Sequence, residues 1–158
     1  MMQEDFVFGL AGVWFVWLLG ELALLDVRYG LLYDRLVLVV VLSAVYPWLL
    51  GMNALDTMLA GGLLGSGLLG GIRWVSHGGI GWGDVKLAGA IGLWLGMKLM
   101  VVALMLAFWL GGVVALGLLL GQGRSCAAKI PFGPFLTAGA CFAYWFGMEC
   151  WQCYERLL

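Results

Sequence analysis

The chain has 158 residues, of which 64% are hydrophobic and 11% charged, with a formal net charge of -1. Soluble domains carry about a quarter charged residues, so this composition excludes a water-soluble globule, and the near-neutral charge excludes a basic nucleic-acid binder. What it can build is a bundle of membrane-spanning helices of roughly 20 residues each, about seven at most, so the expected fold is an all-α polytopic membrane protein in the lipid bilayer, with one domain over residues 1–158.

The first apolar run is Phe6 to Leu25, preceded by Gln3-Glu4-Asp5. A secretory signal has a positive start and a small-residue cleavage site; this acidic start, ending in Leu25-Asp26, reads as a retained span. A polar stretch from Asp26 to Arg35 leads to the run Leu36 to Met52, where Pro47 is expected to kink or close the helix. Asn53 and Asp56 mark a turn and a helix start, and the third run reaches from about Leu55 to Ile72. Gly79 to Leu120 is too long for one span and long enough for two, with the break expected at Gly96-Met97-Lys98. A polar loop from Gln122 to Lys129 precedes the last run, about Ile130 to Met148, and a short tail follows. Six spans result.

Charge orients them. With the N-terminus outside, the inner loops hold Arg28, Arg35, Arg73, Lys86, Arg124 and Lys129, and the outer side only Lys98 and Arg156. The positive-inside rule asks for that asymmetry, so both termini are expected outside the cytosol. Glycine, at 26 residues, is about twice as common as usual. Pairs such as Gly61/Gly65, Gly62/Ser66, Ser66/Gly70, Gly67/Gly71, Gly92/Gly96 and Gly139/Ala143/Gly147 are four apart, the interval that lets helices approach closely in lipid. They are read as packing, not chemistry.

Carboxylates are the informative residues. An acid in hydrocarbon costs a few kcal/mol, so its default reading is functional; the acids here are Glu21, Asp26, Asp34 and Asp84. In this topology Asp26 ends the first span and Asp84 begins the fourth, both at the cytosolic end and able to face each other across a water-accessible cavity. Two carboxyls that close share a proton. The ionised one can deprotonate a water attacking a peptide carbonyl, while the protonated one donates to the developing oxyanion or leaving nitrogen. Such chemistry needs no metal and no cofactor. The single His77 has no neighbouring Ser, Cys or second His to suggest a triad or zinc site. Around Asp84, Gly81 and Gly83 remove side chains where a substrate backbone would approach.

The segment Gly81-Trp82-Gly83-Asp84-Val85-Lys86-Leu87 resembles the second active-site motif of bacterial type 4 prepilin leader peptidases, membrane aspartic proteases of the Gly-x-Gly-Asp class. Asp26-Val27-Arg28 with Leu32-Tyr33-Asp34-Arg35-Leu36 resembles that family's first motif, with Tyr33 where Pro is usual. Lys129-Ile130-Pro131-Phe132-Gly133-Pro134-Phe135-Leu136 resembles its Pro-Phe-Gly-Pro stretch before the last helix. The resemblance implies Asp26 and Asp84 as the catalytic pair. It places Gly81, Gly83, Lys86, Asp34, Pro131, Gly133 and Pro134 in motifs near the substrate. It further implies cleavage of the short basic leader from prepilin or pseudopilin precursors of type IV pili or type II secretion, on the cytosolic face of the bacterial inner membrane. Many family members also N-methylate the new terminus and carry a cytosolic loop of paired Cys-x-x-Cys motifs. This chain has no such loop, so the expected activity is peptidase alone.

Other polar residues have plainer readings. Glu21, about 7 Å deeper than Asp26, would make a polar contact between helices or tune the pair. Asp34 would cap the second helix rather than act in catalysis. Lys86 would either influence Asp84 or substrate, or serve orientation. Cys150 and Cys153, on the outer side, would form a disulfide or pack apolar. Two rival functions use the same residues: a proton-coupled small transporter relaying through Glu21, Asp26 and Asp84, and an inactive relative that binds pilin precursors.

Overall fold

The structure, a computed structural model, describes residues 2–30, 32–51, 53–122 and 131–157. All regular structure among them is helical, as an apolar chain in lipid must satisfy its backbone within each segment. The elements are α1 (Met2–Tyr29), α2 (Asp34–Ser43), α3 (Val45–Leu49), α4 (Leu55–Val75), α5 (Trp82–Gln122) and α6 (Gly133–Leu157). Three stretches, Gly9–Tyr29, Leu55–Val75 and Trp82–Leu118, are long and apolar enough to cross a membrane.

Each helix end has a local cause. α1 stops at Gly30, whose φ of 60° suits glycine and whose N–H donates to the Asp26 carbonyl at 2.8 Å. Pro47 lacks the N–H that would bond four residues back, and the helix breaks at Ala44, between α2 and α3. α4 begins after Ala54 without a side-chain cap. Asn53 does something else: its amide donates to the Trp94 carbonyl at 3.0 Å.

That bond serves a break in α5. Gly96 has φ 75° and ψ 175°, outside any helix, which divides α5 into limbs 82–95 and 97–122. The turn falls where the sequence places it. Its reach follows from contacts at both ends: Asp84 shares a site with Asp26, Gly133 packs on Asp26, and Gly111 packs on Phe132. In a straight helix residues 84 and 111 would lie about 40 Å apart, so the second limb folds back beside the first. Breaking the helix frees carbonyls near Gly96, and Asn53 takes one of them.

Backbone approach in lipid requires small residues, and α4 meets α5 through them. A Cβ on Gly61 or Gly92 would strike the other's backbone, and one on Gly65 would strike Ala88. α6 meets the second limb of α5 through Gly139 against Ala103. Gly67 and Gly71 depart from the expected packing role, since nothing lies within 4 Å of a Cβ at either. They share the four-residue spacing but face away from α5.

Between the helices sits an aromatic cluster. Phe15 of α1 stacks on Trp94 at 4.3 Å, Tyr144 of α6 meets the edge of Trp94, and the Trp94 indole donates to Ser43 of α2. Gly12 leaves room for the Tyr144 ring.

α6 runs on to Leu157, so the expected tail after Met148 is helical; Cys150 and Cys153 lie on it as exposed free thiols. Its far end carries the ion pair between Glu155 and Lys98 at 3.3 Å. Charges thus divide between the ends of the bundle: Arg28, Arg35, Arg73 and Lys86 near Asp26 and Asp84, Lys98 and Arg156 opposite. Arg124 and Lys129 lie outside the described residues.

Candidate active site

Asp26 occupies the last turn of α1 and Asp84 the first turn of α5, so one helix ending and another beginning bring the two acids to one end of the bundle. Only 5% of Asp26 and 7% of Asp84 is exposed. Burying a carboxylate without partners costs several kcal/mol, yet Asp26 Oδ2 and Asp84 Oδ1 are buried with no hydrogen-bond partner among the described residues. The two carboxylates lie close enough for their charges to interact. Backbone N–H groups approach the pair from two sides: that of Gly81 donates to Asp84 Oδ2 at 3.3 Å, and that of Gly133 faces the Asp26 carboxylate.

The third sequence block converges on the same place through one residue. Gly133 opens α6 directly against Asp26, and a Cβ there would collide with Asp26 Oδ2. The flanking prolines serve the turn: Pro131 is exposed, and the Pro134 carbonyl accepts the Thr137 hydroxyl at 2.9 Å. Pro is well suited to a helix's first turn, where its missing N–H costs nothing.

Gly83 faces another part of the chain itself. Its absent side chain makes room for the chain's own Leu32, whose Cβ would lie 2.7 Å from a Cβ at 83. A Cβ on Gly81 would lie 3.2 Å from Asp84 Oδ2. Asp34 is not the cap of α2. Tyr33 is the N-cap residue, without a side-chain hydrogen bond, and Asp34 instead pairs with Lys86 of α5, both carboxylate oxygens at 2.8 Å from Nζ. Lys86 is therefore engaged with Asp34 and not with Asp84.

Glu21 is exposed on α1, so the expected contact between helices is not made. His77 is exposed with φ 50° in the turn after α4. Trp82 carries the Arg73 guanidinium over its ring at 4.7 Å. A groove of about 600 Å³ opens between α2, α4 and α5, lined by apolar residues with Asp34 and Lys86 at one end. Neither Asp26 nor Asp84 lines it.

Residues 13–116, which contain both aspartates, match the model of the type IV leader peptidase family. The chain belongs to that family. Among curated relatives it is 31% identical over 144 residues to a prepilin leader peptidase/N-methyltransferase of Aeromonas hydrophila, covering 87% of this chain and 50% of the relative. A protein of the same name from Bacillus subtilis is 31% identical over 140 residues, 84% of this chain and 54% of the relative. The Pseudomonas aeruginosa protein of that name is 28% identical over 144 residues. The chain spans about half the length of the curated relatives it matches, and no solved structure matches it. Within the leader peptidase family the helical membrane fold is expected, and the matched segment carries the two buried acids. Gly133 lies beyond residues 13–116, in the third block, and the fold brings it against Asp26.

Leu32 is the neighbour that sequence reasoning missed as a site component. It stands in the first motif, but nothing in its spacing says that it fills the space over Gly83.

Proposed function

We propose that the chain is an aspartic endopeptidase acting through Asp26 and Asp84 on prepilin or pseudopilin precursors. The observation that carries this reading is the pair of buried carboxylates, each with an oxygen that no described residue satisfies. Proteins leave such groups unpaired where they serve a function.

In the proposed reaction the pair holds one proton. The ionised carboxylate removes a proton from water as its oxygen attacks the scissile carbonyl, while the protonated partner donates its proton to the carbonyl oxygen. Collapse of the tetrahedral intermediate then breaks the C–N bond and re-forms the carbonyl. The leaving nitrogen takes a proton, the new carboxyl group keeps the water oxygen, and the pair returns with one proton. Two carboxyls in one site cannot both ionise cheaply, which maintains the single shared proton.

The proposed setting is the bacterial inner membrane, with six crossings, both termini outside the cytosol and the aspartates at the cytosolic end. The gathering of Arg28, Arg35, Arg73 and Lys86 near that end supports this orientation. A precursor whose basic leader lies in the cytosol and whose apolar helix lies in the bilayer would present the junction between them at the same depth. The carboxylate pair accounts for hydrolysis and not for methyl transfer, so the product is expected with a free, unmethylated amino terminus.

The test is cleavage of a prepilin-like precursor in membranes by wild type and Asp84→Asn, with mass spectrometry locating the cut. The reading expects a leader released by wild type only. Equal cleavage by Asp84→Asn would overturn the catalytic assignment, a product heavier by one methyl group would overturn the peptidase-only reading, and intact precursor beside folded wild type would overturn the substrate. Thiol labelling from outside of a Cys placed near Arg73 or near Lys98 checks orientation: access near Lys98 alone is expected, and access near Arg73 alone reverses it.

A further inference from the structure

The segment joining α1 to α2 and the first residue of α2 touch α5 on either side of Asp84. Leu32 rests on Gly83, and Asp34 holds Lys86 through both carboxylate oxygens at 2.8 Å. Asp26 sits on the other end of the same segment, one helical turn before Gly30. The two acids are thus fixed relative to each other by a short strap: Asp26, the turn at Gly30, Leu32 on Gly83, and Asp34 on Lys86. Elsewhere α1 and α5 are joined through side-chain packing such as Phe15 on Trp94, far from the acids along the helices.

We infer that the Asp34–Lys86 bridge is a positioning device that sets the separation of Asp26 and Asp84. The side chains of Lys86 and Asp34 are 51% and 71% exposed, and an ion pair that open to solvent adds little to stability. Its geometry is another matter. A single Nζ equidistant from two oxygens defines where the start of α2 stands over the start of α5, and Lys86 is two residues from Asp84. Gly83 contributes by permitting the strap to close, since any Cβ there would push Leu32 away. Asp34 also lies in the first turn of α2, where a carboxylate is favoured by the helix dipole and so is held in place from its own side. Displacements of about 1 Å in a reacting pair cost up to 100-fold in rate, so a strap worth little to folding can matter to turnover.

This inference rests on the proposed peptidase reading, and its test has an arm that does not. In the first arm, steady-state cleavage is measured for Asp34→Asn, Lys86→Gln and the exchanged pair Asp34→Lys with Lys86→Asp. Each single variant is expected to lower kcat about tenfold with KM within twofold, and the exchanged pair to recover most of it. Unchanged kcat, a rise confined to KM, or no recovery in the exchanged pair would overturn the inference. In the second arm, Cys replaces Asp26 and Asp84 in a chain whose native cysteines are Ser, and oxidative cross-linking is followed without substrate. Cross-linking is expected to slow several-fold when Asp34→Asn or Lys86→Gln is added and to recover with the exchanged pair. An unaltered rate would overturn the inference whatever the precursor assay shows. If wild type cuts no precursor yet cross-linking follows the bridge, the peptidase reading fails and the strap stands.

Discussion

The two ends of the bundle treat polar groups in opposite ways. At the Gly96 end, the carbonyl freed by the turn is taken by Asn53, and Lys98 meets Glu155. At the other end, the outer pair Asp34–Lys86 is matched, but Asp26 and Asp84 beneath it keep buried oxygens without partners. Where a polar group serves only the fold, a partner is supplied. Among the described residues, the buried side-chain atoms left without a partner belong to two acids contributed by different helices, so the cost of leaving them unpaired is borne at one place.

Glycine makes the same contrast, and substitutions sharpen it. Gly133→Ala puts a methyl group onto the Asp26 carboxylate. We expect activity to fall about 100-fold, the scale of a 1 Å misplacement, with thermal stability changed little, as read by precursor cleavage beside a melting curve. A large loss of stability with kcat intact would make Gly133 a packing residue like the others. At the far end Gly92→Ala meets the backbone of Gly61, which has no flexible atom to yield. That variant is expected to lose about 1–3 kcal/mol of stability by overpacking, measured by unfolding in detergent, whereas Gly67→Ala, with open space around it, should lose none. Equal effects at 92 and 67 would contradict the packing described. Lys98→Ala is also expected to change little, since its pair with Glu155 is open to solvent; cleavage should be unchanged, and a marked loss would show that the two ends are not independent.

Much of this was legible in the chain before its fold. The apolar runs, the acids bounding two of them and the break at Gly96 follow from hydropathy, charge and glycine. What sequence spacing does not carry is direction across a helix. Gly61 and Gly67 belong to equally good four-residue pairs, and only the neighbour on each side tells packing from open surface. Asp34 had the composition of a cap, but capping depends on the backbone angle of one residue, and the helix starts one position earlier than that reading required. Gly83 signals close approach without saying what approaches; it is Leu32, from the same chain. Gly133 was marked by its Pro-Phe-Gly-Pro block, but that the block meets Asp26 is a long-range placement, seen only where α6 starts beside that acid.

The most direct test of the central claim compares cleavage rates of wild type, Asp26→Asn, Asp84→Asn and the double variant, all folded and membrane-inserted. Two acids that act as one unit should fail as one. Each single variant is expected to lose at least about 1,000-fold, and the double variant no more than either, because groups acting together are not additive. Substantial activity in either single variant, or a double variant far below both, would contradict a shared-proton pair.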